Sequence, residues 1–459
     1  MDNKKEFLGT EPVGKLLWKL AVPTVVAQII NMLYNIVDRI FIGHMPENGS
    51  LALTGVGLCM PIIMIITAFA ALVGAGGAPR ASIYMGKKDQ DTAEKILGGC
   101  FMVQIFISAI LTAVLLLWNR ELLLAFGAKE DTIGYAVDYL NIYAIGTIFV
   151  QLTLGMNAFI TAQGFTRTSM LSVAIGAVSN IILDPVFIYA FDLGVRGAAL
   201  ATIISQAMST VWVLCFLFGK KTVLKLRPCN FFVSPKIILP CLALGLATFV
   251  MQSSESIITI CFNTSLAEST VAVGAMTILS SVMMFAMLPL QGIGQGAQPI
   301  TSYNYGAGNK ERVKKTFRLL LISSVIYSAA LWAFIELFPG VFAGLFTPDP
   351  ELRDFTAKAL RIYCGGMLLF GVQIACQSTF TALGKSVQSI IVAVVRKFGL
   401  LLPFIYLMPV LTGEKIMGVY WAEPVSDILA VTFTAILFFF QFKKTLKEMD
   451  HQLPSHKEA

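Results

Sequence analysis

The sequence predicts an all-α integral membrane protein with twelve transmembrane helices, arranged as two pseudo-twofold-related six-helix lobes around a central cavity. Of its 459 residues, 56% are apolar and 13% are charged, and the mean hydropathy is +0.76. So much apolar surface cannot be hidden in one water-soluble core, so lipid is the expected solvent. In lipid every backbone polar group needs a partner within the protein, which leaves helix bundles or closed barrels.

Long apolar runs identify the spanning elements as helices. Each run is about twenty or more residues long, which is enough to cross a hydrocarbon core of about 30 Å as a helix. The alternation of apolar and polar residues that marks a barrel strand does not occur in them. The predicted spans lie near residues 16–43, 51–78, 96–118, 136–162, 168–191, 194–219, 236–262, 270–298, 316–338, 356–382, 387–411 and 416–442.

The placement of positive charge predicts the topology. Most of the 34 Lys and Arg lie in the termini and in the even-numbered connections between spans. By the positive-inside rule both termini are then cytoplasmic, as an even number of helices also requires. The first apolar segment is much longer than a signal-peptide core, so we expect a retained helix of a multi-pass cell-membrane protein. This explains the net charge of +7 without a nucleic-acid partner.

An internal repeat organises the chain. Residues 155–164, GMNAFITAQG, recur as ACQSTFTALG at residues 375–384, and LNIYAIG at 140–146 recurs as LRIYCGG at 360–366. The shared offset of 220 residues indicates duplication. We therefore predict an N-terminal lobe, 1–226, and a C-terminal lobe, 227–459, related by an axis along the membrane normal. Two such lobes around a central cavity are typical of a transporter that works by alternating access.

One face of the first helix carries a polar stripe. Gln28, Asn31, Asn35 and Asp38 are spaced by three, four and three residues, which places them together. Ionisable groups within a membrane helix are costly and usually functional. Pro23 interrupts the same helix and predicts either a hinge that responds to the charge of Asp38 or an ordinary membrane-helix proline.

The fifth and sixth helices bring further oxygen-bearing side chains to a similar depth. Asn180 and Asp184 are four residues apart and share a face, and Thr202 lies well inside the sixth helix. Two carboxyl groups in a low-dielectric pocket repel each other, so they share a proton or a cation. Asp38, Asn180, Asp184 and Thr202 therefore predict a coupling site for H⁺ or Na⁺. If Na⁺ is the ion, Asp38 and Asp184 are its metal ligands. The alternative is polar packing between helices.

The second lobe offers a rival site for a cation or a cationic substrate. Gln252 and Glu255 belong to a polar stripe on the seventh helix, and Glu423 and Asp427 on the twelfth helix are the nearest other acids. The eighth helix carries flexible methionines with nearby glutamines, which suit a promiscuous apolar cavity as well as ordinary packing. The residues predicted for this substrate-binding or secondary cation site are Glu255, Gln252, Met283, Met287 and Gln291.

These residues resemble the multidrug and toxic compound extrusion (MATE) family, in the branch that contains MepA and DinF. The resemblance rests on Ala21-Val22-Pro23, on the segments 31–43 and 155–164, and above all on NIILDP at 180–185 with DLGVRGAALAT at 192–202. It implies export of cationic, amphipathic small molecules by antiport with H⁺ or Na⁺.

The resemblance also implies roles for individual positions. The positions of the cation site match Asp38, Asn180, Asp184 and Thr202, with bending of the first helix at Pro23. Another branch uses an acid that matches Glu255 together with an acid on the tenth helix, which this sequence lacks.

Other functions fit the sequence less well. A flippase for a lipid-linked oligosaccharide shares the two-lobe plan but needs several cavity-lining Lys or Arg to hold a pyrophosphate. A channel is not expected to need converging acids. No Walker A, H-E-x-x-H or G-x-S-x-G pattern occurs, and the eight cysteines are scattered without C-x-x-C spacing, so neither an enzyme nor a cofactor is expected. The expected partners are small amphipathic cations and membrane lipid, and the protein is expected to be monomeric.

Overall fold

The computed structural model describes residues 7–45 and 49–452, and within these ranges all regular structure is helical. Both ends of the chain, on which the topology prediction depends in part, lie outside the described residues. Eleven helices are long and apolar enough to cross a membrane, and a bent helix pair makes a twelfth span. The spans are α1 (Val13–Gly43), α2 (Gly49–Gly86), α3 (Gln90–Ala125), α4 (Ile133–Ile145 with Thr147–Ala162), α5 (Thr166–Ala190), α6 (Gly194–Phe218), α7 (Pro235–Ser265), α8 (Thr270–Gly306), α9 (Lys310–Leu337), α10 (Pro350–Ala382), α11 (Ser386–Thr412) and α12 (Lys415–Gln452).

The duplication is visible in side-chain contacts. In the first repeat the Asn157 amide donates to the Ser169 carbonyl at 3.3 Å, and 220 residues later Gln377 donates to the Ser389 carbonyl at 3.3 Å. Each contact ties the end of one span to the start of the next. The same contact at the same offset is strong support for two repeats of one six-helix unit.

Helix caps and distortions repeat at the same offset. Asp89 caps α3, and Asn309, 220 residues later, caps α9. Hydrogen bonds from the side chain and backbone of Thr92 hold the pKa of Asp89 below its ordinary value. The two segments of α4 meet at Gly146 with a bend of 56°, and α10 contains a 3₁₀ segment, Cys364–Leu369, around the matching position. Sequence periodicity alone did not predict these distortions.

The described chain packs as two compact units that divide inside helices. Residues 26–249 belong to the first unit, and residues 7–25 and 250–452 belong to the second. The first part of α1 is thus in the second unit, and the first part of α7 is in the first. The sequence repeat predicted two lobes that divide after residue 226. That boundary separates the two repeats, not the two packing units, and it stays a prediction.

Glycines allow the first parts of α1 and α7 to pack against helices of the other repeat. In the first unit a Cβ at Gly245 of α7 would lie 1.7 Å from the Leu72 carbonyl oxygen of α2. In the second unit a Cβ at Gly292 of α8 would lie 2.7 Å from the Val25 Cα of α1. The two contacts are related by the repeat offset. Only glycine lets the backbones approach this closely, so each first helix is pinned onto the second helix of the other repeat.

The linker between the repeats is fixed to the first unit. The buried Gln163 accepts three hydrogen bonds at Oε1, from Thr222 Oγ1 at 2.9 Å and from the backbone N–H groups of Val223 and Leu224 at 2.8 Å. Farther along the linker, Arg227 pairs with Glu94 of α3 at 3.0 Å. The linker is therefore an ordered part of the first unit.

Candidate functional site

The polar stripe of α1 ends at a buried carboxylate. Asp38 is buried, whereas Asn31 is exposed and Gln28 and Asn35 are half-buried. The Asn35 amide donates to the Asn31 carbonyl at 2.6 Å. The stripe thus extends from an exposed surface to the buried Asp38.

A distortion of α5 accompanies its buried carboxylate. The Asn180 amide Nδ2 donates to Asp184 Oδ1 at 3.1 Å, and both residues are buried. Pro185 follows, has no N–H group and is succeeded by a π-helical segment, Val186–Ala190. Such widened turns often occur at functional sites, since they change the direction of nearby groups.

The structure brings the two acids together within the first unit. The carboxyl groups of Asp38 and Asp184 lie close enough for a hydrogen bond between them. In the described part of the chain, no hydrogen-bond donor reaches three buried oxygens of these residues: Asp38 Oδ1, Asn180 Oδ1 and Asp184 Oδ2. Buried oxygens of this kind are stabilised by a proton, a water molecule or a cation.

A small cavity lies beside Asn180 and is lined by both polar and apolar residues. Its volume is about 30 Å³, which is room for one or two water molecules. Asn31, Tyr34, Asn180, Thr202 and Gln206 are among its lining residues. The Thr202 hydroxyl donates to the Ala198 carbonyl at 3.0 Å. Thr202 therefore lines the same cavity as Asn180.

This arrangement can hold one positive charge. A proton shared by the two carboxyl groups removes their repulsion, and Na⁺ could use the same oxygens together with neutral ones, since it is a hard cation. In the chain as described, no group of three His, Cys, Asp or Glu could hold a metal ion. A sodium site here would consist of two carboxylates and neutral oxygens.

The residues predicted in the second lobe are spread over several environments. Met283 and Met287 are half-buried and pack against the core of the second unit, while Gln252 and Gln291 are exposed. Glu255 is half-buried, and its carboxylate pairs with Lys397 at a distance of 2.6 Å. Within residues 7–45 and 49–452, Glu255 is the one member of this set that pairs with a charged residue.

Sequence reasoning missed the charge pairing of the second unit. Arg396 donates to Asp427 through Nε at 3.2 Å and Nη2 at 3.1 Å, and both residues are buried, as are Lys397 and Glu423. The presence of Arg396 and Lys397 in an apolar helix is therefore not explained by side chains that extend to water at a helix end. The available signal was two adjacent cations in the apolar α11, with two acids four residues apart on α12.

Comparison with known proteins now decides the family. The sequence model of the MatE family matches residues 23–186 and 246–407, one stretch in each repeat and well over half of the chain. The chain belongs to the MatE family. MatE proteins are transporters rather than enzymes, and the resemblance seen in the sequence is confirmed.

Relatives within the MatE family match along nearly the whole chain. Multidrug export protein MepA of Staphylococcus haemolyticus is 24% identical over 440 residues, covering 96% of this chain and 95% of that protein. A MATE protein crystallised in a bent conformation has a TM-score of 0.91, 23% identity, and coverage of 98% and 99% of the two chains. An outward-facing multidrug resistance MATE transporter of the MOP superfamily has a TM-score of 0.89 at 23% identity, covering 97% and 99%. The fold is thus the twelve-helix MATE fold that the sequence predicted.

Proposed function

We propose that this MatE protein is a secondary active exporter that moves cationic, amphipathic small molecules out of the cell by antiport with H⁺ or Na⁺. The observation that carries the proposal is the buried pair of Asp38 and Asp184, whose carboxyl groups meet in the first unit. Two such groups cannot both stay ionised without a counter-charge. Capture and release of one cation is therefore the chemistry that this site supports best.

The direction and substrate class are supported by the relatives. The matched staphylococcal protein is named a multidrug export protein. The proposed exporter is a monomer in the cell membrane. The charge distribution favours the placement of both termini in the cytoplasm. The acidic residues of both units support lipophilic cations as the substrate class. Binding such a cation requires a negative charge as well as an apolar surface.

Cation capture can drive alternating access through α1. Asp38 lies on the part of α1 that belongs to the first unit, whereas Pro23 lies on the part that belongs to the second. When Asp38 is neutralised, its half of the helix can sit deeper in the apolar unit, because the cost of burying the charge is removed. A helix with a weak point at Pro23 can pass this movement on to its other half.

Transport by purified protein in vesicles tests the proposal. The protein is reconstituted in lipid vesicles, and movement of ethidium is followed under an imposed pH gradient or an imposed Na⁺ gradient, one at a time. We expect one gradient to drive ethidium transport. Asp38→Asn and Asp184→Asn should each abolish it while the protein remains folded and inserted.

A matched carboxylate variant serves as the control. Asp138→Asn removes an acid of the first unit that pairs with Arg196 at 2.9 Å on an exposed surface, and it should transport like the wild type. Gradient-driven ethidium transport by both site variants would refute the coupling site. Equilibration of ethidium without either gradient would indicate a channel, and no ethidium movement with translocation of a lipid-linked sugar would indicate a flippase.

A further inference from the structure

A cluster of five charged side chains lies inside the second unit, and the function proposed above does not account for most of it. Four members are buried, with at most 7% of each residue exposed, whereas 47% of the Glu255 side chain is exposed. The members are Glu255 on α7, Arg396 and Lys397 on α11, and Glu423 and Asp427 on α12. Charge this deep in a membrane helix is costly, so a function for it is expected.

One cation of the cluster is held rigidly. Arg396 places two N–H groups on the same oxygen of Asp427, Oδ1, and its guanidinium lies over the Phe370 ring, 5.1 Å from the ring centre. The second oxygen, Asp427 Oδ2, is buried, and none of the described residues forms a hydrogen bond with it. This pair is internally neutral and is fixed between α10, α11 and α12.

The other cation has a single close partner that faces outward. Lys397 Nζ lies 2.6 Å from Glu255 Oε1, and its side chain is 6% exposed. No second acid is within ion-pair distance of Lys397 in the described parts of the chain. Since the Glu255 side chain is half exposed, a cationic ligand can reach the carboxylate from the side that Lys397 does not cover.

The third acid has no close partner. Among the described residues, no hydrogen bond or ion pair reaches the Glu423 carboxylate, although Lys397 and Arg396 are near enough to attract it electrostatically. Glu423 precedes Asp427 by one helical turn and lies on the same face of α12. When Glu423 is ionised, three carboxylates face two cations, and the cluster is short of one positive charge.

We infer that Lys397 is an internal counter-cation that an organic monocation displaces from Glu255, and that Glu423 is the acid that receives the displaced ammonium. The inference rests on the proposed export of cations and names how one of them binds. Displacement without a second acid would leave a buried ammonium unpaired, which is costly. With Glu423 as the receiver, every charge in the cluster has a partner after one monocation has bound.

Equilibrium binding of one lipophilic cation tests this exchange. Radiolabelled tetraphenylphosphonium is bound to the full-length protein in detergent, at one pH and without any gradient. Glu255→Gln should lose most binding. Lys397→Met should lower Kd about tenfold, because the ammonium that competes for Glu255 is removed. Glu423→Gln should raise Kd about tenfold, because the displaced Lys397 ammonium then lacks a carboxylate partner.

A double variant separates this exchange from a general effect of charge. In Lys397→Met there is no ammonium to receive, so adding Glu423→Gln should leave Kd unchanged. Lys385→Met is the matched control, since Lys385 pairs with Glu448 at 3.4 Å elsewhere in the second unit, and it should bind like the wild type. If Lys397→Met does not fold, Lys397→Gln replaces it.

Two results would overturn the inference: an unchanged Kd in Lys397→Met, or additive effects of the two substitutions. Both can be told apart from failure of the proposed antiport, because binding in detergent needs no coupling ion. Loss of gradient-driven transport with this binding pattern intact would refute only the antiport. Additive binding effects with intact transport would refute only the role of Lys397.

Discussion

The Asn180 amide donates a hydrogen bond to the Asp184 carboxylate across one turn of α5, with Nδ2 3.1 Å from Oδ1. The bond fixes which oxygen of Asp184 faces along its own helix. The other oxygen, Oδ2, has no hydrogen-bond donor within the described residues and belongs to the carboxyl group that meets Asp38. Asn180 is thus a positioning residue for the proposed cation site.

Replacing Asn180 tests that role. Asn180→Leu keeps the branched shape of the side chain but removes a hydrogen bond to a charged group, which is worth about 1.5–3 kcal/mol. The concentration of coupling ion that gives half-maximal ethidium transport should rise about tenfold or more. Asn119→Leu, which removes an amide pair with Asn141, is the control. Equal ion dependence in both variants would show that Asn180 does not position Asp184.

Pro23 lies three residues before the point at which α1 passes from one unit to the other. Pro23→Ala restores a backbone N–H group that can bond the Lys19 carbonyl, so α1 becomes stiffer. We expect the maximal transport rate to fall about tenfold while the Kd for tetraphenylphosphonium stays within about twofold. Pro61→Ala, in a helix that lies wholly in the first unit, should change neither quantity. An undiminished rate in Pro23→Ala would exclude the hinge.

Close packing of α7 on α2 predicts a stability effect. Gly245→Ala places a Cβ 1.7 Å from the Leu72 carbonyl oxygen, and backbone must move to accept it. The variant should lose about 1–3 kcal/mol of stability, the usual cost of overpacking. Thermal unfolding in detergent measures this. Gly57→Ala meets nothing within 4 Å and should unfold at or slightly above the wild-type temperature.

The buried pair of Arg396 and Asp427 predicts a non-additive stability effect. Asp427→Leu leaves a buried guanidinium unpaired and should cost about 3–5 kcal/mol, whereas adding Arg396→Met should recover most of that loss. Thermal unfolding of the single and double variants measures both steps. Arg196→Met breaks an exposed pair with Asp138 and should change stability by less than about 1 kcal/mol. Additive losses in the double variant would contradict the pairing.

Substitution of Gln163 should change hydrogen exchange locally, in the linker between the repeats. Gln163→Leu removes the acceptor of the Val223 and Leu224 N–H groups, so hydrogen exchange at residues 219–227 should accelerate. Gln163→Glu keeps an acceptor oxygen and should retain most of the protection. Exchange in α6 is the internal reference and should not change. Uniform acceleration across the first unit would indicate global destabilisation instead.

The candidate site of the first unit could be anticipated because each contributing residue is marked within its own helix. Asp38 ends a polar stripe of α1, and Asn180 shares a face of α5 with Asp184. Depth along each helix follows from residue counting. Residue counting does not give the distances between helices, so the short distance between Asp38 and Asp184 had to come from the structure. The coupling role of this pair remains a proposal.

The sequence by itself determined the solvent, the number of spans and the duplication, because composition, run length and a repeat offset are properties of the chain taken in order. The tertiary structure alone decided that α1 and α7 are each divided between two units, and that Lys397 faces Glu255 while Arg396 faces Asp427. Adjacent residues on a helix point in different directions around its axis. Their partners are therefore set by the rotation and crossing of helices far apart in the chain, which no single segment encodes.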